Sequence, residues 1–559
     1  MRFPFLSLVS RTFLGLAALG TAACAVSTRA GEPEGDPNGD ESALTGTTSV
    51  ERGIHFQGVV YLNDGSGDDA VRVAIARQVK SAIGGLRATK VALNDRGALH
   101  NLDPAKWKRQ SLVVVDPAAP TATNAPSRTV LAVTYAYDDR AVVTNTLASR
   151  SAVSFTMLAD DYAPHADALK SACSDDATTD VDSLWYHFAP ELASCKTAIA
   201  SETTAIAKEV AALAGRAGAI GPKQAARWYL PVTAKLDAPV LPGRDFAPEY
   251  DRLFKVAGSR ASDAKLEIYA FFGVDQDVRD PDDALAQEAA RFLRSLLRAQ
   301  PSFRPVLTDP FTYLLDFQVD GKKLAGVTYE QMLGWLLDKS GYPAEVSTDA
   351  AKIADLRRQA IGKLAERWIA WDLPVTVTTS DGKQRALTIE VKTYYGVEDG
   401  SADARQHAQW RYLEAFWYGD VFLYNGHSHF GHGPLEPTNY SSQNFDDRYQ
   451  LMMINSCISF NYYHQDFLAM KPGGSKNLDV IVNGLPSWVW GGGEVAARLV
   501  SGLISGQQPT YPQLLQSMRL DTPWGEKAYD PMRVVDGELD NAYASAKSPL
   551  KLAVGAPVY

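Results

Sequence analysis

Two apolar runs in the last third of the chain each lead into a chemically reactive side chain. Residues 420–424 (DVFLY) lead through Asn-Gly into His427, and residues 449–454 (YQLMMI) lead through Asn-Ser into Cys457. Both runs predict buried strands, and ligands of α/β sheets bind beyond the carboxyl ends of such strands. Because an imidazole can take the proton of a thiol, the two residues predict a nucleophile and its base, as in a cysteine hydrolase.

The surrounding sequence contains elements able to position these residues. From residue 265 onward, strand-like and helix-like segments alternate, which predicts a layered α/β domain. Residues 266–272 (LEIYAFF) predict its first buried strand, and Asp280 is the expected N-cap of the next helix. Further predictions are a helix opening with a capping box at Thr328, a helix over 350–371, a β-hairpin around Asp381-Gly382, a helix over 403–417, a strand over 479–483 and a helix over 494–504.

The first half of the chain predicts a separate α+β domain. Residues 129–137 form an alternating strand pattern that 154–158 continue, and helices are expected at 183–195 and 199–213. Pro and Gly near residues 238–248 indicate a boundary. The predicted domains are a signal peptide (1–24), a disordered acidic linker (25–53), an α+β domain (54–245) and an α/β catalytic domain (260–559).

The N-terminus has the composition of an export signal. Arg2 and Arg11 precede an apolar run over residues 13–23, which is shorter than the ~20 residues of a spanning helix. The following LGTAAC resembles a bacterial lipobox, which would make Cys24 a lipidated N-terminus, and ordinary signal-peptidase cleavage is the alternative. We expect an exported protein of the bacterial envelope, anchored by lipid with the outer membrane favoured, or secreted; no membrane contact is expected beyond that anchor.

Four cysteines are present, and each can be given a separate role. Cys173 and Cys195 enclose a short loop, which in an exported chain predicts a disulfide. With Cys24 assigned to the signal, Cys457 is left as an unpaired thiol. It is either reactive or a small buried apolar residue.

The formal net charge is −10 and no Lys/Arg cluster is interleaved with aromatic residues, so we expect no nucleic-acid partner. The acidic stretch GVDQDVRDPDD, which begins at Gly273, contains five Asp residues, and carboxylates are calcium ligands. It lacks the Gly and Glu positions of an EF-hand loop. The alternative is a solvated loop that caps a helix, with no cofactor.

The two motifs FLYNGHS and MINSC together resemble those of the caspase-like cysteine peptidases of clan CD, which include metacaspases, clostripain, legumain and gingipains. The resemblance implies a caspase-like domain with a mostly parallel central sheet and an exported endopeptidase acting on polypeptides. Cys457 would attack with His427 as its base and form a thioacyl-enzyme, and the backbone N–H groups of Cys457 and Ser428 would hold the oxyanion. Ser428 stands where the family usually has Gly.

The resemblance also implies where substrate selectivity lies. Residues after the third strand line the substrate pocket in this family, so Trp488 and Trp490 are candidates, with core packing as the alternative. An acidic pocket residue would direct cleavage after Arg or Lys. The carboxylates close enough in sequence are Asp446, Asp447, Asp466 and Glu494.

Two other functions use the same stretch. His427, His429 and His432 have HxHxxH spacing, with His464 downstream, and imidazoles can bind zinc with an open position for water. This spacing resembles that of metallo-β-lactamase-type hydrolases, although their Asp before the third His is Gly431 here. The other alternative is a catalytically inactive, lipid-anchored binding module with a caspase-like fold.

Overall fold

The computed structural model describes residues 43–94, 102–118, 128–176, 178–274, 277–306, 315–397 and 402–555. The predicted signal peptide, the lipid site at Cys24 and most of the predicted linker lie outside these residues. Among the helices described, none is both long enough and apolar enough to cross a bilayer.

The strands form two main sheets and one small hairpin. In chain order they are β1 (Thr45–Gly46), β2 (Ser49–Asn63), β3 (Val91–Leu93), β4 (Lys108–Val114), β5 (Arg128–Thr144), β6 (Ala152–Leu158), β7 (Ala219–Ile220), β8 (Tyr229–Leu236), β9 (Lys265–Val274), β10 (Arg304–Pro305), β11 (Phe317–Val319), β12 (Lys322–Leu324), β13 (Trp368–Thr378), β14 (Gln384–Val397), β15 (Val421–Asn425), β16 (Gln450–Asn455), β17 (Leu478–Asn483), β18 (Arg533–Asp536) and β19 (Lys551–Val554).

Helices alternate with these strands, most regularly after β9. The α-helices of the described residues are Asp68–Lys80, Ala82–Arg87, Ala166–Cys173, Leu184–His187, Ala193–Ala212, Pro222–Ala225, Tyr250–Leu253, Ala284–Ala299, Tyr329–Leu337, Ala350–Leu364, Ala402–Tyr418, His464–Met470, Gly492–Leu503 and Tyr511–Ser517.

The larger sheet is mixed, with a parallel centre. Its order is β1-β18-β17-β16-β15-β9-β14-β13-β10, with β19 also paired to β13. The five strands from β17 to β14 are mutually parallel, and the outer pairs are antiparallel. The predicted α/β class is therefore confirmed. The sheet is less parallel than expected, because β13 pairs antiparallel with β14 on one side of the centre and β18 pairs antiparallel with β17 on the other.

Helices cover both faces of the parallel centre. Successive side chains of a strand point to opposite faces of the sheet. On one face, Leu423 and Met453 pack with helices Ala284–Ala299 and Gly492–Leu503. On the other face, Phe422 and Met452 pack against helices Ala402–Tyr418 and His464–Met470. Strands buried on both sides read as continuous apolar runs, which explains why β15, β16 and β17 were visible in the sequence.

The second sheet is built almost entirely from the first half of the chain. Its order is β6-β8-β2-β5-β4-β7, with β3 paired to β5, and β2 pairs with β5 along its whole length. The predicted strands at 129–137 and 154–158 are confirmed within β5 and β6. Ile83, Val142 and Trp185 from this half share an apolar cluster with side chains of the larger sheet. The domain boundaries therefore stay a prediction.

Three predicted element boundaries were wrong. The helix expected from Asp280 begins at Ala284, because Asp283 accepts hydrogen bonds from two N–H groups of its first turn, while Asp280 closes the preceding turn. The helix over 350–371 ends at Leu364. Beyond it, Glu366 adopts a φ of +56° and donates to the Tyr395 carbonyl, which redirects the chain into β13.

The helix expected over 183–195 is also interrupted. Only Leu184–His187 is helical before the next helix begins at Ala193. Pro190 has no N–H to continue the helix, and the Ala189 N–H instead donates to the Cys173 carbonyl at 2.8 Å. The disordered linker ends earlier than predicted, since β1 pairs with β18 and β2 starts at Ser49.

Candidate active site

The structure places His427 and Cys457 beyond the ends of two neighbouring parallel strands. β15 and β16 are paired so that Asn425 lies opposite Asn455, and the Asn455 carboxamide donates to that of Asn425 at 3.0 Å. His427 follows the first asparagine by two positions and Cys457 follows the second by two. Neighbouring strands are about 4.8 Å apart, so the two chains leave the sheet at adjacent points of its carboxyl edge.

A third asparagine extends this pairing to β17. The Asn483 carboxamide donates to Asn455 Oδ1 at 3.0 Å and to the Ser456 carbonyl at 3.1 Å. All three asparagines are buried. Hydrogen bonds between buried polar groups fix local geometry, so the bonds from Asn483 and Asn455 hold the backbone that enters Cys457. The sequence signal for it was an Asn at the end of each apolar run.

The backbone is strained on both sides of the candidate pair. Ile458, directly after Cys457, has a φ of +42°, and His429 and Phe430 after His427 have φ values of +47° and +55°. Positive φ is a genuine outlier for a β-branched residue such as Ile458. Such conformations cost about 1–3 kcal/mol each and cluster at functional sites. No local sequence pattern indicates this strain.

The Cys457 thiol is half-buried and unpaired. Its Sγ donates to the Ser487 carbonyl at 3.4 Å, in the loop that follows β17. Burial, and then the neighbouring Cys457 thiol, raises the pKa of Tyr186, a residue from the first half of the chain. The odd cysteine is therefore a partly accessible group at the sheet edge and not a core residue.

His427 faces a different environment. It lines a cavity of about 320 Å³ whose other lining residues are Asp277, Asp280, Asp283, Ala284, Leu285 and Val489. The same carboxylates reinforce the effect of burial in raising the pKa of Tyr395, whose buried hydroxyl has no hydrogen-bond partner among the described residues. The cavity beside the candidate base is therefore negatively charged.

One short segment touches both candidate residues. Ser487 accepts from the Cys457 thiol, and Val489 lines the cavity with His427. The imidazole and the thiol follow neighbouring strands at one edge of the sheet, and the thiol donates to the Ser487 carbonyl. Catalytic hydrogen bonds are often long before substrate binds.

Ser428 does not need to be glycine. Its φ of −79° and ψ of −17° are accessible to any residue, so the added Cβ imposes no backbone penalty. Its carbonyl accepts from the Tyr463 hydroxyl at 2.7 Å. No backbone hydrogen bond from the N–H of Ser428 or of Cys457 is found within the described ranges. Their role as oxyanion donors stays a prediction.

The two candidate pocket tryptophans differ. Trp488 is 56% exposed and its ring meets that of Trp524 edge-on at 5.1 Å. Trp490 is partly buried against the main apolar core and lies 5.7 Å from the same ring. Trp488 can therefore contact a ligand beside Ser487, whereas Trp490 serves core packing as well. Trp524, distant in sequence, was not predicted.

The first three histidines of the HxHxxH stretch do not converge. The rings of His427 and His429 are 5.8 Å apart, centre to centre. The side chain of His432 is 74% exposed, and its Nδ1 lies 3.5 Å from Glu436. His432 therefore lies on the surface, whereas the Nε2 atom of His429 is buried.

His464 lies in yet another environment. It is buried, its ring stacks on Phe460 at 4.6 Å, and its Nε2 is 3.5 Å from Asp536. Across the part of the chain that is described, no group of three or more His, Cys, Asp or Glu side chains is arranged to hold a metal ion. The zinc and calcium alternatives stay predictions.

The carboxylates proposed from sequence for an acidic pocket do not line the cavity beside His427. Asp446 is paired with Arg260, and Glu494 with Arg498. Asp447 lies near Ser259, and Asp466 belongs to the helix His464–Met470. The acidic cavity residues come instead from the loop after β9, which sequence reasoning considered only as a calcium loop or helix cap.

The disulfide between Cys173 and Cys195 is confirmed. No family model, curated protein or solved structure matches this chain. What the site can do chemically therefore depends on its own groups, which are a thiol, a nearby imidazole, strained backbone on either side and an acidic cavity.

Proposed function

We propose that this chain is an exported cysteine endopeptidase with Cys457 as nucleophile and His427 as general base. The observation that carries the proposal is their shared register, because each follows by two positions one of two hydrogen-bonded asparagines at adjacent parallel strand ends. Both groups are half-buried at one sheet edge, and catalytic hydrogen bonds often tighten only when substrate binds.

The proposed reaction has two steps. The Cys457 sulfur attacks the scissile carbonyl carbon after His427 takes the thiol proton, and the new C–S bond gives a tetrahedral oxyanion. His427 returns the proton to the leaving amine as the C–N bond breaks, which leaves a thioacyl-enzyme. Water then attacks the thioester with His427 as base, and the acid product and free thiol are released. The N–H groups of Cys457 and Ser428 would stabilise both oxyanions.

The acidic cavity supports a preference for a basic side chain next to the scissile bond. Asp277, Asp280 and Asp283 line it beside His427, and a guanidinium or ammonium group placed there would be held by charge-assisted hydrogen bonds. We expect Asp280→Asn to raise the KM for peptides with Arg or Lys at this position more than that for neutral peptides. An equal effect on both peptide classes would contradict this preference.

A mixed peptide library tests the proposed function. The purified protein should cut peptides, and Cys457→Ala should not, with kcat reduced by about 10³-fold or more. Ser456→Ala is the matched control, because it removes only a buried hydroxyl for which the described part of the chain offers no hydrogen-bond partner. A chelator should leave the activity unchanged.

Two results would replace the proposal. If Cys457→Ala stays active and a chelator abolishes hydrolysis, the zinc alternative takes its place. If neither wild type nor variant cuts any peptide and no metal binds, the chain is better described as a binding module.

The envelope location is part of the same proposal and has its own test. Metabolic labelling with a fatty acid should mark the wild-type protein and not Cys24→Ala. A secreted, unlabelled protein would indicate ordinary signal-peptidase cleavage.

A further inference from the structure

A short segment from the first half of the chain lies against the candidate thiol. We call residues 184–189 the capping segment; it comprises the helix Leu184–His187 and the two residues that follow. The disulfide between Cys173 and Cys195 closes the loop that carries it, and the Ala189 N–H donates to the Cys173 carbonyl at 2.8 Å. The base of the segment is therefore fixed.

The capping segment touches both candidate catalytic loops. The rings of Trp185 and Tyr186 lie 5.5 Å and 5.2 Å from that of Phe430, three positions after His427. Tyr186 also lines a cavity with Ile458, directly after Cys457. One tyrosine thus bridges the loop of the proposed base and the loop of the proposed nucleophile.

Little space is left at this contact. The cavity between Tyr186, Ile458 and the Leu485–Pro486 segment is only about 10 Å³, near the lower limit for holding one water molecule. The Cys457 thiol also lies close enough to Tyr186 to add to the effect of burial in raising the pKa of that tyrosine. Since a scissile carbonyl must approach the sulfur to about 3–3.5 Å, the ring and a substrate compete for this side of the thiol.

Charged groups hold the capping segment in place. Arg87 donates to the Tyr186 carbonyl at 3.0 Å and pairs with Asp175 at 2.5 Å, and His187 Nδ1 lies 3.0 Å from the same carboxylate. Lys80 Nζ lies 4.3 Å from the centre of the Trp185 ring. The segment is therefore positioned by several independent contacts.

We propose that the capping segment is an intramolecular inhibitor, in which the Tyr186 ring occupies the approach to the Cys457 thiol. The inference rests on the proposed function, because a cap on a nucleophile regulates only an enzyme that uses it. The segment must shift before a polypeptide can reach the sulfur, so the rate of thiol reaction reports the position of the cap.

Alkylation of Cys457 by iodoacetamide, followed by mass spectrometry of the full-length protein, tests the cap. Tyr186→Ala should be alkylated at least tenfold faster than wild type, and Tyr186→Phe, which keeps the ring, should stay close to wild type. Tyr61→Ala is the matched control; it truncates a tyrosine of the same half of the chain, whose hydroxyl contacts Gln224. Arg87→Gln keeps the ring but weakens its anchor, and should give an intermediate rate.

If Tyr186→Ala melts like wild type and is alkylated no faster, the cap is overturned. If that variant fails to fold, Arg87→Gln decides by the same criterion. Iodoacetamide needs only a thiol, so the result is independent of peptide hydrolysis. Faster alkylation without any peptide cleavage would support the cap as an accessibility barrier while overturning the proposed endopeptidase.

Discussion

The two large sheets of this protein differ in where the polar residues that follow their strands are placed. In the larger sheet, parallel strands end at one common edge, where Asn425, Asn455 and Asn483 hydrogen bond in a buried row beneath His427 and Cys457. In the sheet from the first half, antiparallel strands end alternately at opposite edges. Parallel strands therefore bring the residues that follow them to the same edge of the sheet. The first half of the chain instead approaches this edge through the capping segment, residues 184–189.

The same contrast holds for charge. In the larger sheet, Lys255 forms an ion pair with Asp420, next to β15, and both side chains are only 1% exposed. On the second sheet, His55 bridges Asp138 and Asp237 at a surface where its side chain is 35% exposed. A buried pair leaves a costly charge when one partner is lost, while solvent screens an exposed pair.

The largest expected effect on activity comes from removing the proposed base. His427→Ala should lower kcat for peptide hydrolysis by about 10²–10⁴-fold, because no other group would move the proton. His432→Ala is the matched control, since that side chain is largely exposed and lies on the same loop. Steady-state kinetics on one peptide compare the two variants. Equal losses in both would favour the zinc alternative over the Cys-His pair.

The next effect compares two lysines. Lys255→Met should lower the free energy of unfolding by about 3 kcal/mol, because it leaves the buried Asp420 carboxylate with Arg448, 3.8 Å away, as its nearest cation. Lys235 pairs with Asp237, and the Lys235 side chain is 72% exposed. Lys235→Met should therefore lower the free energy of unfolding by under about 1 kcal/mol. Denaturant titration measures both. Similar losses would show that burial does not separate the two ion pairs.

The smallest expected effect concerns pH and the second sheet. Hydrogen bonds to Asp138 and then Asp237 raise the pKa of His55 above 6.5, so the folded state favours its protonated form. The resulting stabilisation is complete below about pH 6.5 and is lost as pH rises through the raised value. It should be under about 1 kcal/mol because the site is partly exposed.

Unfolding of wild type and His55→Gln, compared at pH 5.5 and pH 9, measures this contribution. The stability difference between the two proteins should be larger at the lower pH. A difference that grows toward pH 9 would contradict the assigned sign.

Local sequence patterns predicted the parallel strands β9, β15, β16 and β17. The runs before His427 and Cys457 are buried on both faces, so their apolar composition alone identified them. The disulfide and the Thr328 capping box were equally local, and both are confirmed.

The features that could not be predicted depended on competing local signals or on contacts between residues far apart in the sequence. Asp280 and Asp283 are both acceptable caps, and tertiary geometry decided between them. Trp368 and Trp371 fit a helix by composition, but pairing with β14 placed them in a strand. Tyr186, from the first half of the chain, lines a cavity with Ile458, and Ile458 has a positive φ. Neither has a local signature.

Covalent trapping tests the central claim most directly. A peptide chloromethyl ketone with arginine next to the reactive carbon should alkylate Cys457, as its sulfur displaces chloride, and peptide mapping should find that single adduct. The account predicts labelling of wild type and much slower labelling of His427→Ala. An adduct on another residue, or equal rates in the two proteins, would contradict the assignment of Cys457 and His427 as nucleophile and base.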